Sequence, residues 1–352
     1  MYNQTTPEFD IASFLDALGP ILIAQLGGEG KVASIETRRG TFNRVVKFAY
    51  AGRILGVRVA ENLQHFRYER GVVKEVFAIS LLHEADGPLD DDRVGSIVED
   101  LLNRPIGSNL SHPLVRRILH YDWSRETVPY PFFIFEWIEG GVLWEMPAAD
   151  NYHRAGKLLA GLHRMRFESF YENIFSIHHL PRSWRDHLRV CLNRELARAD
   201  LTLPSSLTAR LAELDLSKLP TGRPCLVHND FSGANVVISE TGAAHVIDWD
   251  NWVVDCPELD LVKMKYWTAI GREGRLTHRS GLYDAFLEGY QSEAIEALDE
   301  QRLKGYEYLW LLRGYNFEMS REASDDLEPA TPDSWRKVYP DSRYYADLLR
   351  DL

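Results

Sequence analysis

The chain contains little cysteine, and it has no excess of basic residues. Its three cysteines, Cys191, Cys225 and Cys256, are too few and too widely spaced for a disulfide framework or a zinc site. Lys and Arg number 40 against 52 Asp and Glu, and the resulting formal net charge of -12 argues against general binding to nucleic acid. We therefore expect reduced cysteines and no nucleic-acid partner.

Long apolar runs are also missing. No stretch approaches the roughly eighteen consecutive apolar residues that indicate a membrane span. The opening segment, MYNQTTPEFD, lacks the basic region of a signal peptide. With 45% hydrophobic and 26% charged residues, the composition is typical of a globular protein. We expect a soluble cytoplasmic protein, long enough for two domains or for one domain in two lobes.

The residues before position 140 predict a small region rich in β-structure. Helical spacing over residues 10–26 is interrupted at Gly19-Pro20, and it returns over residues 63–83. Five segments rich in β-branched and aromatic residues read as strands, at residues 31–39, 44–52, 53–61, 116–124 and 131–139. Together they predict an antiparallel sheet with a helix between its third and fourth strands.

Beyond the glycine pair Gly140-Gly141 the pattern becomes mainly helical. Amphipathic helices are predicted at residues 151–166 and 183–199, and again over much of 280–316. We therefore divide the chain into residues 1–139 and 140–352. Ligand pockets favour the junction between two such lobes.

Two polar segments in the second region follow apolar runs. They are LVHNDFSGAN at 226–235 and VIDWD at 246–250, and the ETG turn signal between them predicts a hairpin. The hairpin would bring Asn235 and Asp248 to the same end, where their oxygen atoms suit Mg²⁺. Asp230 stands at the start of the loop, where it can accept a proton from a hydroxyl group. This division of labour is the one used in phosphoryl transfer.

These segments resemble the aminoglycoside phosphotransferase and choline kinase-like family of the protein-kinase-like fold. The similarity rests on the H-x-D-x-x-x-x-N pattern of residues 228–235, on I-D-W-D at 247–250 and on P-E-L-D-L at 257–261. The resemblance implies an α+β, two-lobed fold. Residues 1–139 would be a nucleotide-binding lobe with an antiparallel sheet and a helix, and residues 140–352 a larger, mainly helical lobe for catalysis and substrate binding.

The resemblance also implies roles for single residues of the large lobe. Asp230 looks like the catalytic base, and His228 looks like the residue that shapes its loop. Asn235 and Asp248 look like the Mg²⁺ ligands. Asp260 would be a structural carboxylate that supports the loop.

Two positions depart from the family pattern. Asn229 replaces the usual glycine, and Cys256 stands directly before Pro257 where the family usually has aspartate. The second departure leaves the role of the neighbouring Asp255 open. Asp250 has two equally plausible interpretations, as a residue near the metal or as the cap of a turn or helix.

In the small lobe the resemblance implies contacts with the nucleotide. Arg58 points to the face opposite Val57 and Val59 and resembles the basic residue that binds the α- and β-phosphates, with an exposed strand arginine as the alternative. We expect its acidic partner to be Glu75 rather than Glu69. The resemblance also implies phosphate contacts in the first hairpin, at Gly40, Thr41 and Asn43, with an ordinary hairpin turn as the alternative. It further implies adenine contacts in the hinge between the lobes, at Glu136, Trp137 and Ile138.

The activity that the resemblance implies is an ATP-dependent (or GTP-dependent), Mg²⁺-requiring kinase that phosphorylates a hydroxyl group. Its small-molecule substrate would be an aminoglycoside or a related cationic antibiotic, and the protein a monomer or homodimer. Kinases of choline, sugar or amino-acid type are the alternative, followed by a pseudokinase that binds nucleotide without turnover. The acidic residues 318–328 have two interpretations. We favour a solvated loop, and the alternative is an acidic surface that binds the ammonium groups of a substrate.

Overall fold

The structure is a computed structural model in which most of the chain is described. The described residues are 9–28, 30–39, 43–60, 71–84, 88–171, 184–199, 203–205, 207, 209, 219–270, 276–323 and 340–352. Among these residues, no helix combines the length and the apolar character that crossing a membrane requires.

The first part of the chain forms an antiparallel sheet of six strands in the order β1-β2-β3-β6-β5-β4. The strands are β1 (Ala33–Arg39), β2 (Arg44–Tyr50), β3 (Arg53–Val59), β4 (Ile106–Leu110), β5 (Ile118–Asp122) and β6 (Phe132–Glu136). All five predicted strands are present. We did not predict β4, because its sequence IGSNL holds three residues that are weak strand formers.

Helices cover both faces of this sheet. On one face lie α1 (Ile11–Ala17) and α2 (Gly19–Leu26), which are separate helices as the Gly19-Pro20 break predicted. They pack on alternate residues of β2, β3 and β6. On the other face lies α3 (Val72–Glu84), and α4 (Asp91–Asn103) packs against α3; buried residues of both helices share one hydrophobic core with Phe133 and Phe135.

The helices α3 and α4 differ from the predicted pattern. Gly71 has a φ of +78°, so α3 begins at Val72, and most of the earlier residues of the predicted 63–83 helix lie outside the described residues. Helix α4 was missed, although a buried stripe at helical spacing marks it, namely Val94, Ile97, Val98 and Leu101.

The second part of the chain is mainly helical. Its helices are α5 (Ala149–Leu162), α6 (Trp184–Ala199), α7 (Glu258–Tyr266), α8 (Ser280–Glu293), α9 (Glu300–Glu322) and α10 (Ser342–Asp351). Short strands pair between them, namely β7 (Gly140–Val142), β8 (Cys225–Val227), β9 (Val236–Ser239), β10 (Ala244–Val246), β11 (Val253–Asp255), β12 (Ala269–Ile270) and β13 (Leu276–Thr277). The architecture is therefore α+β, as expected.

Helices α5 and α8 pack at unusually close range. A Cβ atom added to Gly156 would lie 2.1 Å from the Phe286 carbonyl oxygen, and one added to Gly289 would lie 2.0 Å from that of His153. Any side chain at either position would collide with backbone, which cannot move aside as a flexible side chain can. The two glycines thus set how closely the two helices approach.

The chain passes from the first sheet to the second part within a few residues. Strand β6 ends at Glu136, and β7 pairs with β9 rather than with the first sheet. The division that we predict between residues 139 and 140 falls in this connection and stays a prediction.

The acidic tract begins differently from our expectation. Residues 318–322 form the end of α9 rather than a solvated loop, so that interpretation is wrong for this part. Glu318 is buried and pairs with Arg321, and burial raises the pKa of its carboxyl group. Residues 324–328 lie outside the described residues.

Candidate active site

The predicted hairpin holds one side of the candidate site. Strands β9 and β10 pair antiparallel, with Val236 opposite Val246. Just beyond that pair, the Ile247 N–H donates a 2.9 Å hydrogen bond to the Asn235 carbonyl oxygen. Asn235 and Asp248 therefore lie at the same end of the hairpin, as the sequence predicted.

The loop before β9 is held by a carboxylate of helix α7. Asp260 is buried and accepts 2.7 Å hydrogen bonds from the backbone N–H groups of His228 and Asn229. His163 lies 3.3 Å from the same carboxylate and also contacts Tyr290. Because charge-assisted hydrogen bonds are strong, Asp260 fixes the direction of the chain at the loop's start. This arrangement matches the supporting role that the resemblance implied for Asp260.

The His228 ring is buried beneath the loop. Its Nε2 lies 3.0 Å from the Ile247 carbonyl oxygen, and its Nδ1 accepts a 3.3 Å hydrogen bond from the Asp230 N–H. The ring also packs on Trp249, 4.7 Å between centroids. These contacts join the loop to the end of β10, so His228 is placed to position Asp230 rather than to meet a substrate.

The structure explains the departure at Asn229. This residue has a φ of +60°, in the left-handed region that glycine and asparagine enter most readily. Its side-chain Nδ2 donates a 3.0 Å hydrogen bond to the Asn251 carbonyl oxygen. Asparagine thus meets the backbone requirement that glycine usually meets and adds a link to the segment after Asp248.

Asp230 lies at the partly open end of the loop, with its side chain 29% exposed. Its carboxylate forms an ion pair with Lys263 of helix α7, whose side chain is 18% exposed. Lys263 was not predicted from the sequence. A signal existed, because Lys263 follows the supporting Asp260 by nearly one helical turn and so faces the same loop.

The Asn235 amide is oriented by the loop itself. Its Nδ2 donates a 2.9 Å hydrogen bond to the Asp230 carbonyl oxygen, which leaves Oδ1 as the atom that can bind a ligand. Asp248 lies at a φ of +66° with its side chain 44% exposed. A residue other than glycine in this backbone region is a form of strain that often marks functional sites.

Arg58 of β3 joins this end of the hairpin to the small lobe. Its Nη1 contacts Glu75 and lies 3.0 Å from Asp248 Oδ1, and its Nη2 lies 2.6 Å from Asp250 Oδ2. Arg58 is buried on the face opposite Val57 and Val59, as the alternation predicted. Glu69, the alternative to Glu75 as its acidic partner, lies outside the described residues. The pairing of Arg58 with Glu75 is therefore the one that we expected.

The three carboxylates around Arg58 form a compact acidic cluster. One oxygen from each of Glu75, Asp248 and Asp250 lies within 4.8 Å of the others. Burial and the neighbouring carboxylates raise the pKa of Asp250 to about 7, against the opposing charge of Arg58. Partial burial also acts to raise the pKa of Asp248, but the positive charge of Arg58 outweighs it and lowers that pKa.

Glu75 also forms a salt bridge with a second arginine, Arg116, which we did not predict from the sequence. Arg116 lies just before β5 and donates from Nε and Nη2 to Glu75 Oε1, at 3.1 and 2.6 Å. Its guanidinium group lies 4.2 Å from the centroid of the Phe135 ring. Glu75 is fully buried, so both arginines neutralise a carboxylate that water does not reach.

The predicted hinge residues lie at the end of β6 and directly after it. The backbone N–H groups of Glu136 and Trp137 donate to the carbonyl oxygens of Arg117 and Ile54, at 3.1 and 3.3 Å. The Trp137 ring stacks on Phe135. All three predicted hinge residues, including Ile138, are half-buried, and their contact with a nucleotide stays a prediction.

The ring of Phe135 occupies the inner face beside β3. A Cβ atom on Gly56 would lie 2.2 Å from this ring, so glycine is required opposite Phe135.

The first hairpin contacts the acidic cluster through Asn43. Asn43 is buried, and its Nδ2 donates a 3.1 Å hydrogen bond to Asp250 Oδ2. This contact ties the base of the β1–β2 turn to the end of the VIDWD segment. Gly40 and Thr41, the other predicted phosphate contacts of this turn, lie outside the described residues.

Asp255, whose role the sequence left open, is a buried structural carboxylate. It pairs with His187 at 2.9 Å and accepts hydrogen bonds from Tyr306 and from the Cys256 N–H. It therefore ties β11 to α6 and α9. Burial acts to lower the pKa of His187, but the Asp255 carboxylate outweighs it and raises that pKa to about 10.

The oxygen atoms at the hairpin's end fit a divalent cation and phosphate groups. Asp248 offers a partly exposed carboxylate, and Asn235 offers an amide oxygen whose companion nitrogen is already bonded. Asp250 Oδ1 is buried without a hydrogen-bond partner among the described residues. Hard oxygen donors of this kind suit Mg²⁺, and the buried Arg58 beside them suits a phosphate.

Comparison with known proteins identifies the family of the chain. The phosphotransferase enzyme family, APH, matches residues 108–306, more than half of the chain and a range that includes Asp230, Asn235 and Asp248. Comparison with curated protein sequences gives no significant match.

Several solved structures share the fold. A protein from Ralstonia eutropha, described as a candidate aminoglycoside phosphotransferase, has a TM-score of 0.61 at 14% identity, with 96% of this chain and 97% of that chain covered. Spectinomycin phosphotransferase in complex with ADP and spectinomycin has a TM-score of 0.58 at 13% identity, covering 96% and 98%. A mutant of APH(4)-Ia in complex with ADP and hygromycin B has a TM-score of 0.57 at 14% identity, covering 95% and 97%. These likenesses show the two-lobed, protein-kinase-like fold.

Proposed function

Because the chain belongs to the phosphotransferase enzyme family, we propose that it transfers the γ-phosphoryl group of ATP to a hydroxyl group of an aminoglycoside or a related antibiotic. The observation that carries the proposal is the unit formed by Asp230, Asn235 and Asp248. One loop and one hairpin hold these three side chains together, beside the Arg58–Glu75 pair of the small lobe.

In this proposal Asp230 accepts the proton of the substrate hydroxyl as the oxygen attacks phosphorus. Asn235 and Asp248 would hold Mg²⁺, which when bound neutralises charge on the phosphate oxygens. Arg58 would bind the nucleotide phosphates while Glu75 keeps its guanidinium group in place. His228 and Asp260 hold the backbone of the loop, so that the Asp230 carboxylate keeps one direction.

Two observations support an antibiotic as the acceptor. The solved structures with the same fold include enzymes that bind spectinomycin and hygromycin B. The formal net charge of -12 also favours the approach of a cationic substrate, since long-range attraction raises the local concentration of opposite charge. Kinases of choline, sugar or amino-acid type share the chemistry and are the alternative that a substrate screen must separate.

A screen of ATP consumption with aminoglycosides, other hydroxylated antibiotics, amino alcohols and neutral sugars tests the proposal. We expect Mg²⁺-dependent ADP release with at least one antibiotic. In Asp230→Asn we expect turnover to fall by about 10²–10⁴-fold, the typical contribution of a positioned base.

The matched control is Asp347→Asn, an exposed aspartate of α10 that pairs with Arg350. Its turnover should equal that of the original protein. Near-normal turnover in Asp230→Asn would refute the catalytic assignment, and activity confined to neutral sugars would refute the antibiotic assignment while leaving the kinase chemistry intact. Nucleotide binding without turnover on any acceptor would instead indicate a pseudokinase.

A further inference from the structure

A lysine of the large lobe lies at the proposed catalytic base. The Lys263 ammonium group forms an ion pair with Asp230, and both side chains are partly open to solvent, at 18% and 29% exposure. An ion pair between surface residues contributes little to stability, because holding two long side chains together costs entropy. Its position at the reactive carboxylate, rather than its strength, is therefore the informative feature.

The lysine is held in place from two sides. Helix α7 is anchored to the loop through Asp260, which accepts from the backbone N–H groups of His228 and Asn229. Lys263 Nζ also lies 5.9 Å from the centroid of the Trp267 ring, within the range of a cation–π contact. The same helix thus fixes both the backbone of the loop and a cation beside its carboxylate.

The charges around the site show why such a cation matters. Segment 228–235, HNDFSGAN, contains no lysine or arginine. Arg58 is enclosed by Glu75, Asp248 and Asp250 at the small-lobe side. A phosphoryl group moving toward Asp230 leaves that side and carries negative charge on its three outer oxygens, which fixed cations stabilise.

We propose that Lys263 is a further catalytic residue, whose ammonium group binds the phosphoryl group during its transfer to the substrate hydroxyl. This inference rests on the proposed kinase function. In the step, the hydroxyl oxygen bonds to the γ-phosphorus and its proton passes to Asp230. The bond from phosphorus to the bridging oxygen breaks, and its electron pair stays on ADP. Lys263 neither gains nor loses a proton; it shifts its donors from Asp230 toward the phosphoryl oxygens.

Binding of a phosphoryl mimic tests this role without a known acceptor. The dissociation constant of ADP would be measured with Mg²⁺ alone and with Mg²⁺ plus aluminium fluoride, which imitates the phosphoryl group in flight. The fluoride should tighten binding to the original protein. In Lys263→Met we expect the tightening to shrink by about 10- to 100-fold, the range for a lost charge-assisted contact, while binding of MgADP alone changes less than about twofold.

Two further variants separate a catalytic role from a structural one. Lys263→Arg keeps the charge and should recover part of the tightening. Lys157→Met removes an exposed lysine of α5 that pairs with Glu293, and it should behave like the original protein. The melting temperature of each variant would show whether it folds.

The outcomes distinguish this inference from the proposed function. Equal tightening in Lys263→Met and in the original protein would overturn the role of Lys263 and leave the kinase proposal standing. So would a change in the Michaelis constant of an identified acceptor at unchanged turnover, because it would mean that Lys263 binds the acceptor instead. An original protein that binds no MgADP would overturn both.

Discussion

Replacing Glu75 by glutamine should destabilise the protein far more than its single charge suggests. Glu75 is fully buried and accepts from Arg116 at 3.1 and 2.6 Å and from Arg58 on its other oxygen. Glutamine keeps the shape but removes the charge, and it turns one acceptor into a donor that faces a guanidinium group. Arg58 keeps Asp248 and Asp250, so the main loss falls on Arg116. Breaking a buried ion pair costs about 3–5 kcal/mol, and we expect a value near the lower end.

The assay is urea unfolding of Glu75→Gln, Arg116→Met and the double variant. The double variant lacks both the Glu75 carboxylate and the Arg116 guanidinium group, so neither remains as an unpaired buried charge. Its loss of unfolding free energy should therefore be smaller than the sum of the losses in the two single variants. We expect a coupling free energy of about 0.5–3 kcal/mol, the usual range for residues in contact. The control is Glu36→Gln, an exposed glutamate paired with Arg38, which should cost less than about 1 kcal/mol.

Two results would refute this reasoning. The first is strict additivity of the single losses, which would mean that Glu75 and Arg116 do not interact. The second is a loss in Glu75→Gln no larger than in Glu36→Gln, which would mean that burial does not strengthen the pair.

Three other predictions concern single positions. Asn229 has a φ of +60°, so Asn229→Ala should cost about 1–2 kcal/mol of unfolding free energy from left-handed backbone strain; Asn229→Gly should cost less, and an equal loss in both would contradict the strain argument. Gly56→Ala places a Cβ 2.2 Å from the Phe135 ring and should cost about 1–3 kcal/mol by overpacking; adding Phe135→Leu should recover part of it in thermal unfolding, and no recovery would mean that the ring is not the obstacle. The pKa of His187 is raised to about 10 by Asp255, so its stabilising contribution is complete below the unfolded pKa near 6.5 and is lost as the pH rises toward 10. Relative to His187→Gln, the protein should lose up to about 1.4 kcal/mol per pH unit across that window, and parallel curves would argue against the ion pair.

Much of the candidate site was accessible from the sequence because its parts are local. The loop 228–235, the turn at 240–242 and the strand end at Asp248 follow one another closely, so an antiparallel hairpin must bring them together. The alternation of Val57, Arg58 and Val59 likewise predicted that Arg58 lies on the face of the sheet opposite the two valines. The same kind of signal was overlooked at α4, whose buried residues recur at helical spacing.

Contacts between distant segments were not accessible in the same way. Arg116 reaches Glu75 across 41 positions of the chain, and Asn43 reaches Asp250 across 207. The link from Asp255 to His187 and Tyr306 depends on how β11 packs against two helices. None of these pairs has a fixed spacing in the chain, because they depend on where loops return rather than on a local period.

By itself, then, the amino-acid sequence determined the loop, the hairpin and the chemical types at their ends, since backbone periodicity and turn geometry act over a few residues. Tertiary structure decided which charges meet. It placed Arg58 and Arg116 on either side of Glu75, and it paired Lys263 with Asp230. The physical reason is that a charge interacts with whatever packing brings near, and burial strengthens that interaction regardless of distance along the chain.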